Sequence, residues 1–236
     1  MTASSHGERS NRSKKHIAIV GASGKLGRYL IEESLQQGYR VTAICRPQSI
    51  AKLWLWEEII DIIPSYSDDQ EILAKVLEDV DVVLTVMVCW GMKGYATNTV
   101  EAVLKGAPES ARLIFSSGWH ISRDGLDKYP LSLRCFVRVF GAVARCLRIA
   151  DIRDQERAAR RIFESGRRWT LVRASDLEEG ESEGMPIWAE HVGDARIQHN
   201  RLRRMDFAKF MVAAINDKTL LQKAPAIASA RVSRAI

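Results

Sequence analysis

Short apolar runs alternate with amphipathic segments along most of the chain. Residues 17–20 and 40–45 are apolar runs of strand length. Between them, leucine and isoleucine recur at helical spacing, as in Leu26 and Leu30, until Gly38 interrupts the pattern. This order predicts a βαβ unit near the start of the chain.

The alternation of strands and helices continues to about residue 216. We expect strands at 59–63, 81–88, 112–117 and 169–173, and helices at 68–77, 97–105, 133–165 and 204–216. The run 81–88 is apolar almost throughout, which is typical of a parallel strand buried on both faces. The pattern predicts an α/β fold, a doubly wound parallel sheet (Rossmann fold) in a single domain. That domain would span 16–228, between a disordered basic leader at 1–15 and a loose tail at 229–236.

Composition narrows the class of protein further. The chain has 236 residues, 46% of them hydrophobic, which is enough for one full core. The four cysteines lack metal-site spacing, and no apolar run is long enough to span a membrane. We therefore expect a cytoplasmic protein without a metal site.

The net charge of +6 is concentrated in an arginine-rich stretch at 145–168. Acidic residues such as Asp154 and Glu164 are interleaved with these arginines, and no base-stacking aromatic residues accompany them. This pattern favours a solvated helix face, and we expect no nucleic-acid partner.

Three glycines lie between the first strand and the first helix, at positions 21, 24 and 27. In a dinucleotide site, the first glycine allows a sharp turn, the second lets the backbone approach a phosphate, and the third lets the helix pack closely. The motif predicts a dinucleotide site that also includes the intervening residues Ser23, Lys25 and Leu26. A phosphate-loop NTPase is excluded, because Leu26 stands where a magnesium-binding serine or threonine is required.

The residue after the second strand, Arg46, indicates which dinucleotide is bound. An acidic residue there would bind an adenosine ribose, whereas an arginine suits a 2′-phosphate. No Asp or Glu occurs between Gly38 and Glu57. We therefore expect NADP(H) rather than NAD(H), with an ordinary solvated arginine as the alternative interpretation.

The substrate is expected at the carboxyl ends of the strands, near 87–94, 116–124 and 174–188. Val86, Met87 and Ser116 are expected to contact the cofactor. Large apolar residues in these segments favour a small hydrophobic or aromatic substrate, although they could equally form a lid or a contact between subunits of a homodimer. The candidate pocket residues are Trp90, Met92, Trp119, Met185 and Trp188.

Several segments resemble the atypical short-chain dehydrogenase/reductases with an NmrA-like NAD(P)H-binding domain, including flavin- and biliverdin-reductase-like proteins. The likeness covers about residues 16–216. It is carried by the glycine motif, Arg46, Phe115-Ser-Ser, Asp151-x-Arg-Asp-Gln-Glu, Ser165-Gly-x-x-Trp-Thr-Leu-Val-Arg and Arg204-Met-Asp-Phe-Ala-Lys-Phe. The resemblance implies a Rossmann fold and a nicotinamide cofactor, but it specifies no substrate.

Two features depart from that family. The chain has no Tyr-x-x-x-Lys pair, in which lysine lowers the pKa of the catalytic tyrosine. Tyr129 is followed by Pro130, and Ala174 replaces the usual proline after the late-strand arginine. An ordinary alcohol dehydrogenase is therefore not expected.

The remaining candidates for catalysis are few. Ser116 or Ser117 stands where the related proteins place a hydroxyl that could polarise a carbonyl. His120 is the best candidate for proton delivery at neutral pH. Asp176 corresponds roughly to a histidine near the flavin in the biliverdin-reductase-like branch, and Tyr129 and His191 are weaker options.

Three functions are consistent with this sequence. The first is an NADPH-dependent reductase acting on a carbonyl, enone or flavin-like substrate. The second is a non-redox cyclase or isomerase of a biosynthetic pathway on the same fold. The third is a non-catalytic, NADP-sensing regulator of the NmrA type.

Overall fold

The computed structural model describes residues 14–87, 94–129, 152–197 and 199–230. The strands in those ranges are β1 (His16–Val20), β2 (Arg40–Cys45), β3 (Asp61–Pro64), β4 (Val82–Thr85), β5 (Arg112–Gly118), β6 (Arg168–Ala174), β7 (Asp176–Glu178), β8 (Ile187–Ala189), β9 (Arg201–Arg203) and β10 (Ala226–Ala228). Within the described residues, eight strands form one sheet in the order β3-β2-β1-β4-β5-β6-β10-β8. All neighbours in this sheet are parallel except β10 and β8.

Helices cover both faces of this sheet. They are α1 (Lys25–Gln36), α2 (Gln70–Val76), α3 (Tyr95–Gly106), α4 (Ile152–Glu164) and α5 (Arg204–Ala213), with 3-10 helices at Pro47–Trp56 and Lys218–Leu220. Helices α1 and α5 pack together on one face, and α2, α3 and α4 pack on the other. None of the helices in the described part of the chain is long and apolar enough to cross a membrane.

The alternation of side chains along β1 explains why two helical layers are needed. Ile17 and Ile19 pack into the core on the α1 side, whereas Ala18 and Val20 pack into the core on the opposite side. Each of these residues is at most 1% exposed. A strand that is apolar on both sides must be covered on both faces, so the doubly wound arrangement is confirmed.

One edge of the otherwise parallel sheet carries an antiparallel strand that was not predicted. Strand β8 runs antiparallel to β10, and Ile227 pairs with Trp188. Strands β7 and β9 form a separate parallel pair in which Glu178 binds both Arg201 and Arg203. These strands have three residues each, which is too short for a periodic pattern to reveal them.

Several element boundaries also differ from the prediction. Strand β3 begins at Asp61 rather than at residue 59, and α5 ends at Ala213 rather than at 216. The 3-10 helix at Pro47–Trp56 was not predicted. Of the helix expected at 133–165, residues 133–151 lie outside the described residues, as do 1–13 of the leader and 231–236 of the tail. Ser229, expected in the loose tail, is buried and donates its backbone N–H to the Arg201 carbonyl.

A buried ion pair holds together the segments beyond the carboxyl end of β6. Arg173 and Asp127 have side chains that are each 1% exposed, and their Nη1 and Oδ2 atoms are 2.8 Å apart. The guanidinium also donates to three backbone carbonyl oxygens, those of Ile121, Ala224 and Glu190. The carboxylate accepts from Ser122 Oγ and from the backbone N–H of Val192. This pair therefore joins the loop after β5 to the segments around β8 and β10.

We expect Asp127→Ala to lower the free energy of unfolding by about 3–5 kcal/mol, because it leaves the Arg173 charge buried without a counter-ion. Urea denaturation followed by circular dichroism measures this change. Asp194→Ala is the matched control, since Asp194 pairs with Arg196 in a solvent-exposed ion pair and should change stability little. Equal effects of the two substitutions would contradict the role assigned to the buried pair.

Candidate active site

The glycine loop between β1 and α1 forms a tight turn. Gly21 has φ +84°, a backbone conformation that favours glycine. The backbone N–H groups of Gly21 and Ala22 donate to the carbonyl oxygen of Ile44 at 3.0 and 3.1 Å, which ties the loop to the end of β2. The residue that precedes α1, Gly24, provides no side-chain cap, and the first turn of α1 has no acidic residue. The N-terminus of α1 is therefore suited to an anionic ligand.

Gly27 brings α1 into direct contact with this loop. A Cβ atom at position 27 would lie 2.4 Å from the carbonyl oxygen of Gly21 and 2.5 Å from that of Ala22. Both are backbone atoms that cannot move away without displacing the loop. A Cβ at Gly24 would lie 3.3 Å from the Gly21 oxygen, which is also close. The glycine spacing is thus required by the geometry of the turn, in agreement with the roles assigned from the sequence.

A cleft of about 260 Å³ opens beside the loop. Its lining comes from the glycine loop and from the carboxyl ends of β2, β3 and β4, which is where a doubly wound sheet binds its ligand. The lining residues are Gly21, Ser23, Gly24, Ile44, Cys45, Arg46, Ser65, Ser67, Val86 and Tyr95. Five of the predicted cofactor residues are therefore together in one cleft: Gly21, Ser23, Gly24, Arg46 and Val86.

The other predicted cofactor residues do not line this cleft with their side chains. Leu26 and Met87 are 6% and 7% exposed and belong to the apolar core. Lys25 is largely exposed, and its Nζ lies 3.7 Å from Glu179 Oε1. Gly27 instead lets α1 pack against the glycine loop, and Ser116 instead binds the backbone N–H of Met87.

Five lining residues were missed by the sequence analysis. Ile44 and Cys45 end β2, Ser65 and Ser67 follow β3, and Tyr95 begins α3. The rule that ligands bind at the carboxyl ends of strands would have identified the residues after β3. The Cys45 thiol is buried and hydrogen-bonded to Ser23, and burial raises its pKa.

Arg46 directly follows β2 and is exposed at the rim of the cleft. In the described part of the chain, it forms no ion pair with a carboxylate. The guanidinium is therefore available to an anionic group in the cleft.

The two candidate serines at the end of β5 have different surroundings. Ser116 is 3% exposed, and its Oγ accepts a hydrogen bond of 3.0 Å from the backbone N–H of Met87. This bond joins the ends of β4 and β5. Ser117 is 8% exposed, and its Oγ has no hydrogen-bond partner among the described residues. Ser117 is therefore the serine whose buried hydroxyl lacks a protein partner among the described residues.

His120 lies just beyond β5 and differs from the expectation in its protonation. Burial lowers its pKa to about 4, although a hydrogen bond with Gln155 acts in the opposite direction. The expectation that His120 titrates near neutral pH is therefore wrong, because the imidazole is neutral at pH 7. Its Nε2 has no partner among the described residues, so the neutral ring can still exchange a hydrogen bond with a ligand.

The weaker candidates are less suited to acid catalysis. Burial and the nearby Asp127 raise the pKa of Tyr129 to about 12, so its hydroxyl stays protonated. Asp176 is exposed at the start of β7 and accepts a hydrogen bond of 2.6 Å from Asn200 Nδ2. His191 pairs with Asp124 at the surface, with Nε2 and Oδ2 2.9 Å apart.

The predicted aromatic pocket is not assembled as expected. Trp119 is 6% exposed and packs in a small core cluster with Val192 and Ala226. Trp188 packs against the core on the α1 side, and Met185 is 53% exposed. Trp119 and Trp188 therefore act as packing residues. Trp119 is buried in its cluster, and Trp188 belongs to β8, a strand that was not predicted and that pairs with β10. Trp90 and Met92 lie outside the described residues.

No group of His, Cys, Asp and Glu among the described residues is arranged to hold a metal ion.

Comparison with known proteins agrees with this geometry. Residues 21–218 match a protein family described as NAD(P)H-binding. A short-chain dehydrogenase/reductase from Veillonella parvula, in complex with NADP, has a TM-score of 0.70 and 16% identity, covering 90% of this chain and 94% of that one. ChuY, an anaerobillin reductase from Escherichia coli O157:H7, has a TM-score of 0.69 and 16% identity, covering 94% of this chain and 100% of that one. These two likenesses show the fold.

A curated relative is similar over a shorter region. It is a decarboxylating sterol-4-alpha-carboxylate 3-dehydrogenase from Dictyostelium discoideum, 26% identical over 102 residues. The match covers 43% of this chain and 30% of that protein. Because the family match spans most of the chain and the glycine cleft lies inside it, the protein belongs to the NAD(P)H-binding family.

Proposed function

We propose that the protein is an NADPH-dependent reductase of a flat or hydrophobic carbonyl, enone or flavin-like substrate. The observation that carries the proposal is the cleft that combines an uncapped helix N-terminus with the free guanidinium of Arg46. The Ser117 hydroxyl, unpartnered among the described residues, supports a reactive site next to this cleft.

The residues present fit a phosphorylated dinucleotide. The backbone N–H groups at the start of α1 would bind the pyrophosphate, which can approach closely because Gly24 has no side chain. Arg46 would pair with the 2′-phosphate at the end of β2, where no acidic residue repels it. Ser67 donates a hydrogen bond of 2.7 Å to the Tyr95 hydroxyl, and this pair would form the wall of the cleft on the side of β3 and α3.

The chemistry of such a site would be divided between cofactor and protein. NADPH, when bound, supplies a hydride. Ser117 would donate its hydroxyl hydrogen bond to the substrate oxygen that gains negative charge. His120, as a neutral imidazole, would position that oxygen or the Ser117 hydroxyl through Nε2 without carrying a charge. The protein would thus polarise the substrate by neutral donors.

One observation favours a second function. Neither Tyr129 nor His120 is an acid of suitable pKa, and the sequence has no Tyr-x-x-x-Lys pair. The absence of that pair permits a cyclase or isomerase on this fold, in which no hydride is transferred to the substrate. Substrate conversion without a change in NADPH absorbance would favour this second function.

We expect Arg46→Asp to raise the Kd for NADPH about tenfold or more without raising the Kd for NADH, because the carboxylate repels the 2′-phosphate but can accept hydrogen bonds from the ribose of NADH. Isothermal titration calorimetry with both nucleotides measures the two values. Arg160→Asp, the same charge reversal on the exposed face of α4, is the control. An undiminished preference of the Arg46→Asp variant for NADPH would refute the assignment of the 2′-phosphate to Arg46.

We expect Ser117→Ala to lower kcat about 10²-fold while the Kd for NADPH is retained, because one hydrogen bond to the developing charge is lost. The measurement is NADPH oxidation with a panel of quinones, flavins and enones. Ser165→Ala removes a serine hydroxyl that bonds only to the Ile162 carbonyl oxygen and the Arg167 backbone N–H, and it should leave kcat unchanged. If the Ser117→Ala variant turns over at the wild-type rate, Ser117 has no part in catalysis.

A further inference from the structure

Two adjacent polar residues near the start of α4 are buried. Asp154 is 3% exposed and Gln155 is 4% exposed, whereas the other buried residues of this helix are apolar. A carboxylate and an amide lose their hydration on burial, and both need partners that replace it. Their partners lie on two different sides of the candidate active site.

Asp154 provides the N-terminal cap of a neighbouring helix. Its Oδ2 accepts the backbone N–H of Ala96 at 2.7 Å, and its Oδ1 accepts the Thr97 hydroxyl at 2.6 Å. The residue that precedes α3, Gly94, offers no side-chain cap of its own. The negative charge of the Asp154 carboxylate is also favourable at the positive, N-terminal end of the α3 dipole. The start of α3 is therefore held by a residue of α4.

The first residue of α3 forms part of the cofactor cleft. Tyr95 lines the cleft, and its hydroxyl accepts a hydrogen bond from Ser67, which is bonded in turn to Thr99. The Asp154 carboxylate binds the two residues that follow Tyr95 in the chain. It thereby fixes the backbone from which the Tyr95 ring projects.

Gln155 contacts the other side of the site. Its amide is placed to hydrogen-bond with the His120 imidazole, which favours the protonated ring. The ring also lies against Gly118, where a Cβ atom would be 2.5 Å from Nδ1. Gln155 and Gly118 thus confine the imidazole, whereas Nε2 has no partner among the described residues.

We propose that α4 supplies two positioning residues: Asp154, which holds the Tyr95 wall of the dinucleotide cleft, and Gln155, which orients the His120 imidazole toward the substrate. The role of Gln155 in turnover rests on the proposed reductase function. The contacts of both residues with their partners do not depend on it. Since the two residues are adjacent on one helix, a displacement of α4 would alter both sides of the site together.

The first test concerns the affinity for NADPH. We expect Asp154→Ala to raise the Kd for NADPH about tenfold, and Asp154→Asn, which retains one acceptor oxygen, to raise it less. Asp217→Ala is the control, since Asp217 caps the 3-10 helix at Lys218–Leu220 and accepts the Thr219 N–H at 2.8 Å. A Kd in folded Asp154→Ala that equals the wild-type value would overturn this half of the proposal.

The second test concerns the His120 ring. In the described residues, the His120 ring lies against Gly118, and Gln155 on α4 is the side chain that acts on its protonation, while the adjacent Asp154 is bound to α3. We expect Gln155→Glu to raise the His120 titration midpoint by about one pH unit or more, because the carboxylate stabilises the imidazolium. The midpoint is measured by NMR of protein labelled at histidine with 15N, and the His120 signal is assigned from its loss in His120→Ala. Gln70→Glu makes the same charge change on the exposed surface of α2 and should leave the midpoint unchanged.

A third variant tests the same role of Gln155 without introducing a charge, in case Gln155→Glu does not fold. Gln155→Met keeps the volume and removes the hydrogen bond, so the 15N shifts of the ring should move toward a mixture of the two tautomers. Wild-type shifts in Gln155→Met, or a wild-type midpoint in Gln155→Glu, would overturn the role of Gln155. The histidine measurements need no nucleotide. Failure of the wild type to bind NADPH would therefore refute the proposed function. If the wild type binds NADPH and the Asp154 and Gln155 variants give wild-type values, the present inference is refuted.

Discussion

The contact between α1 and the glycine loop is the constraint on which the rest of the site depends. With a hydrogen atom at position 27, the first turn of α1 lies against the carbonyl oxygens of Gly21 and Ala22, where a Cβ would be only 2.4–2.5 Å away. This close packing directs the N-terminus of α1 toward the cleft. Because the loop is also bonded to Ile44 at the end of β2, the same contact fixes where Arg46 stands. The helix N-terminus and the cation beside it therefore face one cleft.

The segments beyond the carboxyl ends of β4, β5 and β6 are organised differently. There, buried polar groups of distant segments are joined to one another: Arg173 to Asp127, and Asp154 to the start of α3. Such groups require partners once they are buried, so each of them restricts the position of a loop or a helix end. These contacts hold loops that the short strands alone would hold poorly. The Ser117 hydroxyl, which has no partner among the described residues, lies beside them at the end of β5.

The sequence predicts the parts of the molecule that depend on local patterns. The strands β1, β2 and β5, the glycine turn and the position of Arg46 follow from hydrophobic periodicity and from the backbone requirements of glycine. The three-residue strands β7 to β10 could not be predicted, because their pairing depends on contacts such as Glu178 with Arg201. Without β8 and β10, Trp119 and Trp188 were interpreted as pocket residues. The low pKa of His120 was missed for the same reason, since burial arises from packing against distant elements.

The most direct test of the account is a crystal structure of the protein with NADPH. The account predicts that the pyrophosphate lies over the backbone N–H groups at the start of α1 and that the 2′-phosphate lies within hydrogen-bond distance of the Arg46 guanidinium. A nucleotide bound away from the glycine loop, or a 2′-phosphate that points away from Arg46 into solvent, would contradict it.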